Sequence, residues 1–159
     1  MPPIALPALV AARTIDPVAS ESTYAYGVLL RLTTTAQGGR QTPLLGGAGR
    51  DARFQYRPNW GLPQMSAPEQ TGAPVLAFSK ANIHPGDEVR VVIVPPYPQM
   101  VSEWKQVAIG DVLPMYEGLR ICGYGRVLWR RDTQLPVPEQ DEERFRAWVL
   151  DSTAPGEPD

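Results

Sequence analysis

Two sets of cations and one aromatic pair are the parts of this sequence whose types and spacing could do chemistry, and all three suit holding a ligand. Gly38-Gly39-Arg40-Gln41-Thr42 places backbone N–H groups beside a guanidinium, a combination that receives a phosphate or a carboxylate. Gly39, Arg40 and Thr42 are therefore candidate contacts. The competing assignment is a glycine hairpin turn in which Arg40 satisfies nearby carbonyls. Arg120, Tyr124, Arg126 and Arg130 fall at even spacing, so on a strand they form one outward stripe of cations interleaved with an aromatic ring. Such a stripe contacts phosphates and stacks on a base, although an exposed strand face is also simply a solvated one. Phe145 and Trp148, with Val149, recur at helical spacing and must dock, either on the rest of this chain or on a partner.

Groups that transform a substrate are scarce. His84 is the single histidine, so neither a two-histidine metal cluster nor a Ser-His-Asp triad can form within one chain. Cys122 sits in an apolar alternation as a small packing residue. The acids Asp111 and Glu117 flank a proline and could act as a carboxylate pair or as turn residues. No Gly-x-x-x-x-Gly-Lys-Ser/Thr string is present to cradle a nucleotide phosphate. The expectation is a protein that is not an enzyme and takes no nucleotide, metal or other cofactor.

These groups need a scaffold, and 159 residues supply one domain with one core. Eighteen prolines and 14 glycines punctuate the chain too often for long helices, which points to strands and turns. The lone cysteine requires no oxidising compartment, no apolar run is long enough to span a bilayer, and the N-terminus lacks the basic start of a signal peptide. A cytoplasmic location without membrane contact follows as the expectation. Charge is uneven: residues 1 to 60 hold six arginines against three acids, whereas residues 132 to 159 hold two arginines against eight acids. The basic excess outside the tail is smaller than a dedicated nucleic-acid binder shows.

Residues 1 to 22 lack a sustained period and read as an extended arm. From there the two-residue alternation of strands predicts segments at 24–32, 52–57, 73–78, 89–94, 103–109 and 119–129. In the last of these, Leu119, Ile121, Gly123, Gly125, Val127 and Trp129 share the buried face, the glycines letting the strand bend. Val112 to Glu117, which hold Pro114, read as a loop between strands. Residues 139–150, with acids in the first turn, predict a short amphipathic helix in an acidic tail covering 132–159. The fold class is all-β: six strands without helices between them indicate an antiparallel barrel or sandwich over residues 23–131.

Three stretches resemble, in order, the C-terminal barrel domain of elongation factor Tu. Gly38-Gly39-Arg40-Gln41-Thr42-Pro43-Leu44 is similar to that domain's Gly-Gly-Arg-His-Thr-Pro-Phe loop, and Pro85-Gly86-Asp87-Glu88-Val89 to its Pro-Gly-Asp turn before a valine-rich strand. Ile109-Gly110-Asp111 and then Gly118 to Val127 resemble its closing segments. Gln41 and Leu44 stand where the family has histidine and phenylalanine. The resemblance implies a six-stranded antiparallel barrel without its GTPase, acting as a binding module for tRNA or for a translation-related protein. The surface near Arg40 is where the family's domain helps hold the T-arm of aminoacyl-tRNA. A second expectation is an immunity-type or accessory protein that blocks a protein partner by mimicking this barrel, its acidic tail suiting a basic surface. A homodimer through edge strands is a further expectation.

Overall fold

A strand whose side chains alternate between water and core has one apolar face, and β1 (Glu21–Leu32) follows that rule: Tyr26, Val28, Leu30 and Leu32 all point into the main core. The structure, a computed structural model, describes residues 20–151 and 157–158. Most of the expected N-terminal arm lies outside the described residues, and its last two residues belong to β1. The remaining strands are β2 (Leu44–Leu45), β3 (Asn59–Trp60), β4 (Thr71–Gly72), β5 (Val75–Phe78), β6 (Asn82–Ile83), β7 (Glu88–Ile93), β8 (Val112–Glu117) and β9 (Arg120–Leu135), followed by the helix α1 (Glu139–Leu150).

The fold is mostly β, but the expected six-stranded barrel is not what forms. Seven strands make one antiparallel sheet in the open order β4-β3-β8-β9-β1-β7-β5, and β2 with β6 make a separate ribbon. The strands at the two ends of that order, β4 and β5, follow one another in the chain with only Ala73 and Pro74 between them. Pro74 has no N–H to continue a ladder there.

Three strand assignments change. Val112 to Glu117 are no loop: Leu113 and Met115 are fully buried, and β8 pairs with both β3 and β9. Residues 103–109 form instead a 3-10 turn at Ser102–Gln106, whose Trp104 enters the main core and accepts a hydrogen bond at its carbonyl from Tyr26 Oη. Residues 52–57 turn rather than extend, with Phe54 in the left-handed region at φ 59°. That turn sends Phe54 and Tyr56 to different apolar clusters, so the alternation in the sequence reflects two destinations and no strand.

Two cores result, one on each side of the sheet. The second holds Ala25, Leu76, Ala77, Val92, Val94 and Trp129 under Phe145, Trp148 and Val149 of α1. Burial on both faces explains why β7 is so rich in β-branched residues: Val89, Val91 and Ile93 serve one core and Val92 the other. Arg90, also on β7, donates to the Trp148 carbonyl at 2.9 Å and to the Asp151 carbonyl, where a cation suits the negative end of the helix dipole. Acids in the first turn of α1 complement its other end.

The long strand β9 (Arg120–Leu135) extends six residues beyond the expected end at 129 and carries two bulges. Its register against β1 shifts so that Gly27 faces Trp129 while Val28 faces Val127, which leaves Leu128 unpaired. Against β8 a second shift leaves Cys122 as the extra residue. The first bulge turns Trp129 away from the core occupied by Val127 and into the one beneath α1. Its indole then lies over Gly27, where a Cβ would meet Nε1 at 2.0 Å. Among the described residues, no helix is long and apolar enough to cross a membrane.

Candidate binding surface

β9 exposes Arg120, Tyr124 and Arg126, but the bulge at Cys122 puts Arg120 on the face of Glu117 and Met115, opposite to Tyr124 and Arg126. Tyr124 is 47% exposed, a value that leaves a ring edge and face open to a ligand. The neighbouring strands widen the patch: Tyr124 stands opposite Arg31 on β1 and Pro114 on β8, and Arg126 opposite Leu29 and Val112. Arg31 was missed from sequence, although it is the one charged residue in the alternation of residues 24–32 and had to face outward. Its ion pair with Glu88, at 3.4 Å between two well-exposed side chains, is worth little in water.

Arg130 does not belong to this patch. The bulge at Leu128 returns it to the side of Tyr26, its cross-strand partner. Its guanidinium lies 5.2 Å over the Tyr24 ring and donates to the Lys105 carbonyl at 2.6 Å. The four-residue stripe is therefore Tyr124 and Arg126 alone, with Arg120 on the other face and Arg130 a structural tie to the 3-10 turn.

The glycine-rich loop is built as a turn. A Cβ on Gly39 would stand 2.2 Å from the Thr33 carbonyl oxygen, so glycine is required by close backbone approach. Arg40 pairs with Glu117, and its Nε donates to the Thr42 carbonyl at 3.2 Å. Tyr56 Oη donates to the same carboxylate at 2.6 Å, and burial, reinforced by that bond, pushes the Tyr56 hydroxyl well above its ordinary range. Arg40, Gln41, Thr42, Glu117 and Arg120 line one shallow hollow of about 360 Å³. The fold thus brings the loop and the start of β9 together, with Arg40 already neutralising Glu117 and Arg120 exposed beside them.

Removing the arginine while keeping its partner should reveal this structural role. Arg40→Ala leaves a partly buried carboxylate held only by Tyr56, and should cost about 1 kcal/mol. Arg40→Ala combined with Glu117→Gln should recover most of it. Thermal melts decide, because an arginine serving only as a ligand contact would leave the melting temperature unmoved.

Phe145 and Trp148, expected as docking residues, are 1% and 2% exposed and pack on Trp129 with ring centroids 5.5 and 5.2 Å away. They dock on their own chain, because the bulge has placed an indole on the outer face for them to cover. The other reactive side chains are structurally engaged. Asp111 accepts from the Ala108 N–H at 2.8 Å. Cys122 is buried in the bulge, and desolvation pushes its thiol up. The His84 N–H donates to Asp87 at 2.9 Å and holds that carboxyl below the usual range. Among the described residues, no group of three His, Cys, Asp or Glu side chains is placed to hold a metal ion. No protein-family model matches the chain, and no curated protein is significantly similar to it.

Proposed function

We propose that this chain is a non-catalytic binding module whose contact surface is the outer face of β9, together with the hollow beside Arg40, and that its partner is a structured RNA of the tRNA type. The observation that carries this is the exposure of Tyr124, Arg126 and Arg31 on one sheet face, with Arg120 exposed on the other side beside the Arg40 hollow. Guanidinium groups there reach phosphates while the ring stacks, and electrostatic binding of this kind weakens steeply with salt. The ordered likeness of three stretches to the C-terminal barrel of elongation factor Tu supports the same partner class, with a cytoplasmic location.

The second reading is a module that blocks a protein partner. Leu119 and Val112, 81% and 52% exposed, favour it, because apolar side chains among arginines suit a protein surface better than a phosphate backbone.

A tRNA mobility-shift assay at low salt separates the two. Under the first reading tRNA shifts, Arg120→Ala and Arg126→Ala each lower the slope of log affinity against log salt by about one, and Glu139→Lys with Glu143→Lys on the exposed side of α1 tightens binding. Under the second, the lysine pair weakens capture of a basic partner. Failure of tRNA to shift with either the wild type or the lysine pair would remove the RNA reading.

A further inference from the structure

Two apolar troughs flank the exposed ring of Tyr97, and they share no residue with the surface around Tyr124 and Arg126. One, of about 460 Å³, is lined by Phe54, Arg57, Pro58, Pro74 and Leu135. The other, of about 320 Å³, is lined by Met100, Val101 and Trp104. Gly72, Pro96 and Tyr97 line both, so Tyr97, 58% exposed, is a ridge between two adjacent slots.

We propose that this double trough docks a proline-rich, extended peptide of a partner protein that carries an acidic residue beside its prolines. The backbone around the troughs decides the conformation of the occupant. Pro58, Pro74 and Pro96 have no N–H to offer, and the nearby amides are engaged: Phe54 N donates to the Val75 carbonyl and Val75 N to the Tyr56 carbonyl, each at 3.0 Å. A peptide cannot add here as a strand. Polyproline II needs no ladder, because its backbone stays solvated and its side chains and rings fill slots between aromatic ridges.

Charge selects the flanking residue. Among the described residues, Arg57 is the only ionised side chain lining either trough, and its Nε donates to the Phe54 carbonyl at 3.0 Å, which fixes the guanidinium at the rim. An Asp or Glu of the peptide is its complement. Phe54 itself is held at φ 59°, a conformation a bulky residue adopts only when its surroundings impose it.

The test titrates the full-length protein with a synthetic peptide containing Pro-Ala-Leu-Pro and a flanking glutamate, and with the same peptide carrying lysine instead. Saturable binding of the glutamate peptide is expected, weakened about tenfold or more by Tyr97→Ala at an unchanged melting temperature. Arg57→Glu should reverse the preference, favouring the lysine peptide over the glutamate one. Absence of saturable binding, or equal binding to all variants, overturns the proposal. A rise in affinity when Pro2, Pro3 and Pro7 are changed to alanine would assign the troughs to this chain's own proline-rich stretch, and a dimer that disperses on Tyr97→Ala would assign them to a second copy; either result overturns it too.

Discussion

Trp148→Ala should destabilise the protein by about 3–5 kcal/mol, a large share of the ~5–15 kcal/mol that a domain of this size holds in total. Trp148 is 2% exposed and stands edge-on to Trp129 at 5.2 Å, with the Arg90 guanidinium 4.7 Å over its ring. Truncation would open a void between α1 and the sheet and strip Arg90 of its ring contact at once. Trp148→Phe should behave differently. The indole Nε1–H is buried and meets no acceptor among the described residues, so the native side chain already carries a desolvation cost, and phenylalanine keeps most of the apolar bulk without it. A loss within ~1.5 kcal/mol is expected for that swap. Denaturant melts of the two variants test the assignment: an alanine variant as stable as the wild type would mean that this face of α1 is not part of the core, and would return Phe145 and Trp148 to the list of partner contacts.

The legible parts of the fold were those in which one residue's period settled one face. β1 and β7 could be read because Tyr26, Val28, Leu30 and Leu32, and then Val89, Val91 and Ile93, repeat every second residue into a single core. The helix at 139–150 was legible from its acidic first turn and from Phe145, Trp148 and Val149 on one side. What could not be read were the departures from period. Nothing in Leu128 announces a bulge, yet that one extra residue sends Trp129 to the outer core and Arg130 off the stripe. Pro114 made β8 look like a loop, although its neighbours Leu113 and Met115 are fully buried. Tyr56, which completes the Arg40–Glu117 cluster, comes from a segment whose alternation is that of a turn. The candidate surface was consequently read in part: Tyr124 and Arg126 from spacing alone, Arg31 only once β1 and β9 were seen as neighbours, while the bulge at Cys122 moved Arg120 to the other face.

Gly125→Val should cost about 1–3 kcal/mol or more, whereas Arg126→Ala, one residue along the same strand, should stay within about 0.5 kcal/mol of the wild type. At Gly125 a Cβ would stand 2.5 Å from Val28 Cγ1 and 3.2 Å from the Trp60 ring. Both neighbours are fully buried, so the added atoms have no solvent to move into and the strands must separate. Gly123→Val should be milder for its side-chain contacts but still costly, because there the Cβ would meet the Arg31 backbone oxygen at 2.9 Å, and backbone paired in a ladder cannot yield as a rotamer can. Arg126 points the other way, exposed between Leu29 and Val112, so its removal deletes charge from the surface and leaves the packing intact. The two substitutions therefore separate scaffold from surface: the glycine variant should lower the melting temperature and weaken tRNA binding only in proportion to the fraction unfolded, while the arginine variant should lower binding at constant stability. Thermal melts in the reverse order would place Arg126 inside and Gly125 outside, and the contact surface proposed for β9 would have no physical basis.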